Sequence, residues 1–284
     1  MSQPRITAIT QKQVSAYLKP RPAESHKGTF GTVTVIGGST GFVGAALLAG
    51  RAALKLGAGC VHVGLLADNA PAVDMQVPEL MLGSASAALK STKSDVMVIG
   101  CGLGQSLAAQ KILYDALLLD VPLVLDADAL NIIALRPDLR GMLHARKAAS
   151  VFTPHPGEAA RLLACTVEEV QADRTGAALE LTRKLNGSVV LKGADSICAT
   201  RDGKLYLNKT GNPGMSSAGM GDALSGMIAA FMAQGLSADE ALLLGVHLHG
   251  AAGDALAQQQ ATIGMSASEV TEWARWLLNQ IAPR

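Results

Sequence analysis

The chain has 284 residues, and its 24 basic and 23 acidic residues leave a formal net charge of +1. A nearly neutral chain has no electrostatic footprint for nucleic acid or for a strongly acidic partner. Apolar residues make up 49% of the sequence, but its most apolar stretches, 44–66 and 241–257, contain charged or histidine side chains. Neither stretch is therefore predicted to span a membrane, and the composition favours an enzyme that acts on small molecules.

The first 26 residues are predicted to form a polar N-terminal arm with one short helix, which the Pro20-Arg21-Pro22 segment would end. Residues 27–284 contain no linker-like stretch, so we expect a single domain there. The arm lacks the apolar core of a secretory signal. The four cysteines are scattered without a C-x-x-C pair, which favours free thiols and a cytoplasmic location.

After the arm, short apolar strands alternate with helices along the chain. The predicted strands are 32–36, 60–65, 96–99, 123–125, 151–152 and 188–191. This alternation predicts parallel pairing with helices on both faces of the sheet, so the fold class is α/β with three layers, α/β/α. Two late strands, 197–200 and 204–207, flank a turn typical of a hairpin. We therefore expect a mostly parallel central sheet with an antiparallel hairpin at its edge.

Helix starts are predicted at Thr166, Ser237 and Ser266, because each is followed three residues later by a glutamate that completes a capping box. A further cap is expected at Ser106.

Glycine or polar residues follow several of the predicted strands, at the edge where ligands bind in parallel α/β folds. These segments are 37–44, 100–104, 126–131 and 153–158. The first carries glycines at the spacing of a dinucleotide-binding turn. Asp126 and Asp128 fit either a ligand site or an ordinary turn, because Asp is a common turn residue.

The stretch Gly219-Met220-Gly221-Asp222 lies just before an apolar helical stripe that begins at Leu224. Glycine N–H groups at a helix N-terminus form a site for anions such as a phosphoryl group. A carboxylate at the edge of that site suits proton transfer from a hydroxyl, and we expect the helix dipole to keep Asp222 ionised. The alternative is that Asp222 only caps the helix.

Five motifs occur in a defined order along the chain: Lys27–Gly31, Gly44–Ala49, Thr153–Glu158, Lys192–Ser196 and Gly211–Met215. With the stretch Gly219–Asp222, they resemble the ADP-dependent NAD(P)H-hydrate dehydratase family of the ribokinase-like superfamily. The resemblance extends from about Lys27 to about Gln260. Met220 departs from the family pattern, in which Thr is common at that position.

The resemblance implies a ribokinase-like fold and a repair reaction. The S epimer of NADH or NADPH hydrated at C6 of the reduced ring would be dehydrated while ADP goes to AMP and phosphate. The implied route is phosphorylation of the C6 hydroxyl followed by elimination of phosphate. ADP is the implied co-substrate and Mg²⁺ the implied metal; the motifs name no metal ligand, and Glu158 is the first candidate.

The resemblance also implies roles for particular residues. The implied catalytic residues are Asp222, Gly219 and Gly221. The implied nucleotide-binding residues are Lys192, Gly193, Ala194, Asp195, Ser196 and Gly221. The implied hydrate-binding residues are Ala45, Gly102, Gly104, His155 and Asp222. Without the resemblance, His155 between two prolines is more typical of a turn. His247 and His249 are expected to be helix residues near the nucleotide.

Assembly and partners are implied in the same way. The family predicts a homotetramer, and because the dehydratase motifs start near Lys27, we expect the epimerase that interconverts the two hydrate epimers to be a separate protein. The preference between the two hydrates, and between ADP and ATP, stays open.

Three other functions were compared with this one. A short-chain dehydrogenase fits the glycine turn at 38–44, but none of the three tyrosines is followed four residues later by the required lysine. A kinase of small hydroxymethyl substrates on the same fold would use Asp222 in the same first step and stays open as the alternative. A non-catalytic nucleotide sensor fits poorly with a complete Gly219–Asp222 group.

Overall fold

The computed structural model describes residues 5–90, 93–260 and 262–283, and these form one ten-stranded sheet. The strands are β1 Ile6–Ala8, β2 Thr32–Gly37, β3 Cys60–Leu65, β4 Met81–Ser84, β5 Val96–Ile99, β6 Leu123–Leu125, β7 Ser150–Phe152, β8 Ser188–Leu191, β9 Ile197–Ala199 and β10 Leu205–Leu207. Their order in the sheet is β1-β10-β9-β8-β7-β6-β5-β2-β3-β4. Strand β9 runs antiparallel to β8 and β10, and the other pairs are parallel.

Helices cover both faces of the sheet. They are α1 Gln11–Ser15, α2 Val43–Lys55, α3 Ala85–Leu89, α4 Leu107–Leu117, α5 Ala127–Leu135, α6 Pro137–Ala145, α7 Pro156–Leu163, α8 Val167–Ala172, α9 Arg174–Leu185, α10 Met220–Ala233, α11 Ala238–Gln259 and α12 Ala267–Ile281. Helices α2, α10, α11 and α12 share one apolar cluster with the sheet, and α3 to α9 share the other. This arrangement confirms the three-layer prediction. Within the described residues, no helix is both long and apolar enough to cross a membrane.

The central strands are apolar on both sides because both faces are covered. In β5, Val96 and Val98 belong to the cluster with α2 and α10, whereas Met97 and Ile99 belong to the opposite cluster. A half-exposed strand would alternate apolar and polar residues instead. This is why short, continuous apolar runs sufficed to locate these strands in the sequence.

Six predicted strands, the hairpin and the three capping boxes are confirmed, with boundaries within one residue. Two strands were missed. β1 is a three-residue exposed strand and β4 is mostly exposed, so neither carries a buried apolar run. Because β1 pairs with β10, the hairpin lies next to the edge of the sheet and β1 forms the edge itself. The N-terminal arm thus adds a strand to the sheet that residues 27–284 form. The boundary between the arm and the domain, placed after residue 26, stays a prediction.

Helix α10 begins at Met220, so Gly221 and Asp222 lie inside its first turn and not before it. Gly219 is the residue that caps the helix, with φ +91°. The helix lies directly on α2, because a Cβ atom at position 226 would overlap the carbonyl oxygen of Ala49. A glycine at 226 therefore sets how closely α10 approaches α2.

We expect Gly226→Ala to lower the free energy of unfolding by about 1 to 3 kcal/mol, because it forces two helix backbones apart in a packed core. Urea unfolding would measure the change. Gly141→Ala is the matched control: Gly141 is also helical but has open space around its Cβ position, so alanine there should be neutral or stabilising. Equal effects of the two substitutions would contradict this account of the α2–α10 contact.

Candidate active site

A buried ion pair lies at the carboxyl ends of the parallel strands. Lys192 follows β8 and Asp126 follows β6, and Lys192 Nζ lies 2.9 Å from Asp126 Oδ1. The side chains are 21% and 2% exposed. The backbone N–H of Ala127 also donates to Oδ1 (2.9 Å), and Ser225 Oγ on α10 donates to Oδ2 (2.9 Å). Asp126 therefore caps α5, holds Lys192 and anchors α10 at one point.

The charges in this cluster shift each other's pKa values. Burial by itself would raise the pKa of Asp126, but the adjacent Lys192 ammonium and hydrogen bonds lower it. Burial would lower the pKa of Lys192, but Asp126, Glu158 and Asp222 together raise it. The structure thus favours a carboxylate and an ammonium in contact, which is how buried charges are tolerated.

Asp222 projects toward the same cluster from the first turn of α10. One of its carboxylate oxygens, one Asp126 oxygen and the Cys101 Sγ all lie within 4.8 Å of one another. Burial, followed by repulsion from Asp126, raises the pKa of Asp222 to about 7. The raised pKa runs against the expectation that the helix dipole keeps Asp222 ionised. The capping alternative is wrong, since Gly219 occupies the cap position.

The glycines around Asp222 leave room for the cluster. A Cβ atom at position 221 would lie 3.0 Å from Lys192 Nζ and 3.5 Å from Asp126 Oδ2. A Cβ atom at position 219 would lie 2.6 Å from Leu48 Cδ1. The N-terminal N–H groups of α10 therefore stand beside an ammonium group, and both attract anions.

A cleft of ≈ 510 Å³ opens beside this helix end. All of the expected nucleotide-binding residues line it, namely Lys192, Gly193, Ala194, Asp195, Ser196 and Gly221. Residues of the loop 208–216, which contains the Gly211–Met215 motif, also line the cleft. His249 also lines the cleft, and burial lowers its pKa to about 4. His247 is buried in α11 as expected.

Three expected hydrate-binding residues meet where the loops after β2 and β5 touch. A Cβ atom at Gly102 would lie 3.1 Å from the Ala45 Cβ, and one at Gly104 would lie 3.4 Å from Ser39 Oγ. The Ser39 N–H donates to the Gly102 carbonyl (2.7 Å). Because Cys101 precedes Gly102 and contacts the Asp222 cluster, this region adjoins the proposed proton acceptor.

His155, the fourth expected hydrate-binding residue, has a structural role in the fold. It caps α7: its Nδ1 accepts hydrogen bonds from the N–H groups of Gly157 (2.9 Å) and Glu158 (3.4 Å). The His155 side chain remains 49% exposed. Burial, with Lys192 and Arg161 nearby, lowers its pKa, so the ring is neutral at neutral pH. The other ring nitrogen, Nε2, lies 3.3 Å from Glu158 Oε1. His155 is thus a helix-cap residue in the loop before α7, as the turn interpretation expects, and its role in binding the hydrate stays a prediction.

Glu158 completes the capping box and is the carboxylate with chemistry suited to Mg²⁺. One of its oxygens accepts from the His155 N–H (2.7 Å), and the side chain is 4% exposed. Burial raises its pKa, and the nearby Lys192 ammonium opposes that rise. A hard oxygen ligand of this kind fits Mg²⁺, whereas the Cys101 thiol, whose pKa burial raises, stays protonated and does not.

The main residue that sequence reasoning left unassigned is Asp126. Its position directly after a central strand was the available signal, since such positions face the ligand-binding edge. This position by itself could not show whether Asp126 is an ordinary turn residue or part of a functional site. Tertiary contact with Lys192, 66 residues away in the chain, makes the distinction.

The fold is that of a ribokinase-like protein, with a cleft at the carboxyl ends of its parallel strands, and similarity to solved ribokinase-like structures confirms that superfamily prediction. A family model described as NAD(P)H-hydrate dehydratase matches residues 33–275. The chain is 44% identical, over 93% of its length and 90% of the relative, to the ADP-dependent (S)-NAD(P)H-hydrate dehydratase of Neisseria meningitidis. The chain belongs to the NAD(P)H-hydrate dehydratase family.

Two further comparisons extend this result. The chain is 42% identical to the bifunctional NAD(P)H-hydrate repair enzyme of Escherichia coli, covering 97% of this chain but only 53% of that protein. The chain thus spans about half the length of this bifunctional relative. A Bacillus subtilis ADP/ATP-dependent NAD(P)H-hydrate dehydratase, co-crystallized with ATP/Mg²⁺, matches with a TM-score of 0.85 and 30% identity, covering 98% of this chain and 99% of that one. The dehydrogenase interpretation is therefore wrong.

The raised pKa of Asp222 predicts how its substitution changes stability with pH. Between pH 4 and 7 the folded protein keeps a proton on Asp222 that the unfolded chain has released, so this group's contribution to stability falls as pH rises. The loss is about 1.4 kcal/mol per pH unit. Asp222→Asn should therefore become more stable relative to the wild type between pH 5 and pH 8, measured by urea unfolding. A pH-independent difference would contradict the assigned shift.

Proposed function

We propose that the protein dehydrates (S)-NAD(P)H-hydrate in an ADP-dependent lyase reaction and so returns hydrated NADH and NADPH to the intact cofactors. The observation that supports the proposal is that Asp222, whose pKa is about 7, lies beside Asp126, the partner of Lys192, and beside Cys101, which precedes Gly102. Membership of the NAD(P)H-hydrate dehydratase family supports the substrate class.

The first step is transfer of the β-phosphoryl group of ADP to the C6 hydroxyl oxygen. The O–H bond breaks, and Asp222 accepts the proton as general base. A bond forms from that oxygen to phosphorus, and the bond from phosphorus to the AMP oxygen breaks. Lys192 and the N–H groups of the first turn of α10 stabilise the negative charge on the phosphoryl oxygens. A base whose pKa lies near neutrality suits this proton transfer, since it is partly ionised and still basic.

The second step is elimination of phosphate. The lone pair on the ring nitrogen expels phosphate from C6. The released phosphate then accepts the proton from C5, which restores the C5–C6 double bond. Water has then been removed from the hydrate, and ADP has become AMP and phosphate. Hydroxide is a poor leaving group, so phosphorylation provides the better one.

We divide the site into a part that binds the nucleotide and a part that binds the hydrate. The residues Lys192–Ser196 and Gly221 bind the nucleotide, and Ala45, Gly102, Gly104 and His155 bind the hydrate. Glu158 is the residue that would hold Mg²⁺, together with phosphate oxygens and water. When bound, Mg²⁺ neutralises charge on the phosphate oxygens.

Assembly and cellular context remain parts of the proposal. We place the enzyme in the cytoplasm as a homotetramer that works with an NAD(P)H-hydrate epimerase activity. An apolar stripe on α4 supports self-association: Leu107, Tyr114 and Leu118 follow one helical face and are 83%, 42% and 64% exposed.

The central test is Asp222→Asn. Because Gly219 caps α10, this change leaves the cap intact and removes only the base. We expect kcat for NADH-hydrate to fall by about 10² to 10⁴ while the ADP dissociation constant changes little. The recovery of reduced-nicotinamide absorbance with ADP and Mg²⁺ reports turnover.

Asp138→Asn is the matched control, because Asp138 also lies in the first turn of a helix but is exposed and distant from the cluster. It should leave kcat unchanged. A kcat for Asp222→Asn within a few-fold of the wild-type value would remove Asp222 as the general base.

A pair of substitutions separates the two roles of His155. His155→Ala removes both the ring and the cap, whereas His155→Asn removes the ring but keeps a good capping side chain. We expect both to raise the KM for the hydrate more than the KM for ADP, and only alanine to lower the melting temperature. Normal hydrate KM in the asparagine variant would show that His155 acts only as a cap.

A further inference from the structure

One wall of the nucleotide cleft is the loop 208–216, hereafter the cleft loop. It connects β10 to the glycine-rich start of α10, and eight of its residues line the cleft: Asn208, Lys209, Thr210, Gly211, Asn212, Pro213, Met215 and Ser216. The loop contains one short 3-10 turn, Pro213–Met215. Segments of this kind need external anchors if they are to be ordered before a ligand binds.

The anchor with two points of contact is Asp254, on α11. The Gly211 N–H donates to Asp254 Oδ2 (2.9 Å), and Asn212 Nδ2 donates to Asp254 Oδ1 (3.1 Å). Asn212 Oδ1 in turn accepts from the Gly214 N–H (3.0 Å). One carboxylate on α11 therefore fixes the backbone at Gly211, the side chain of Asn212 and, through it, the turn at Gly214.

Helix α11 approaches the cleft loop closely because two of its residues lack side chains. A Cβ atom at Gly250 would overlap the Thr210 hydroxyl and lie 2.6 Å from its carbonyl oxygen. A Cβ atom at Gly253 would overlap the Met215 sulfur. Thr210 Oγ1 also donates to the His247 carbonyl (2.9 Å). The contact thus extends along about two turns of α11, from His247 to Asp254.

We infer that Asp254 is a positioning residue for the nucleoside diphosphate: it holds the cleft loop in the shape that receives the ligand. Asp254 does not itself line the cleft, so it acts through Gly211 and Asn212 and not by touching the nucleotide. Hydrogen bonds to an ionised acceptor are stronger than neutral ones, which suits a carboxylate that must immobilise a glycine-containing segment. The inference rests on the proposed nucleotide site.

Asp254→Ala should free the cleft loop and weaken ADP binding. We expect the ADP dissociation constant, measured by titration calorimetry, and the KM for ADP to rise about tenfold, as the loss of charge-assisted hydrogen bonds implies. The value of kcat and the KM for the hydrate should change less than about threefold. Amide hydrogen exchange at residues 210–215 should accelerate, because loosely held backbone opens more often.

Glu240→Ala is the matched control. Glu240 is also a carboxylate on α11 that accepts a backbone hydrogen bond, from the Ser237 N–H (2.9 Å), but it lies in the capping box at the start of the helix. Its loss should lower the melting temperature without changing ADP affinity. If Asp254→Ala does not fold, Asp254→Asn takes its place, since asparagine keeps one acceptor and should weaken ADP binding about threefold.

The inference is overturned if ADP affinity is unchanged in these Asp254 variants, if the KM values for ADP and hydrate rise equally, or if exchange at 210–215 stays at the wild-type rate. A wild-type protein that binds ADP but does not restore NADH would overturn the proposed function alone, and the calorimetric comparison would still decide the role of Asp254.

Discussion

The ion pair between Lys192 and Asp126 is the contact on which the rest of the site depends. Two charges removed from water are tolerated only when they pair closely and their other oxygens and protons are satisfied. Asp126 meets this condition by accepting hydrogen bonds from α5, from Ser225 on α10 and from Lys192. The ends of β6 and β8, the start of α5 and the second turn of α10 are thereby held at one point. In the proposed reaction, this pair places the Lys192 ammonium where the phosphoryl group would be transferred.

The same cluster sets the chemistry of Asp222. Its carboxylate is largely buried and faces the negative charge of Asp126, so its pKa rises to about 7 although it stands at a positive helix end. Lys192 opposes this rise but does not cancel it. The site therefore contains two aspartates with opposite properties: Asp126 is held ionised by its partner, and Asp222 gains and loses a proton near neutral pH. Such separation of pKa values is a common way to assign an electrostatic role and a base role within one site.

The two proposed ligand regions, one for the hydrate and one for the nucleotide, depend on different parts of the scaffold. The hydrate region is formed by loops after β2 and β5 that touch through backbone atoms, with glycines where side chains would collide. The nucleotide cleft is formed by the segment after β8 and by the cleft loop, which α11 supports. The α10 N-terminus lies between them. Because α11 supports the cleft loop, a substitution on α11 can change nucleotide binding although the substituted residue does not contact the reacting atoms.

The sequence by itself determined the strands of the central sheet, the helix caps and the family, because buried parallel strands are continuously apolar, caps are local and the motifs are contiguous. It also located Gly219–Asp222 and Lys192–Ser196. It did not determine β1 and β4, which lack a buried apolar run, or the role of Asp126, which looks like a turn residue until Lys192 is beside it. The pKa of Asp222 was likewise decided only by tertiary structure, because desolvation and the approach of Asp126 arise from packing between segments far apart in the chain.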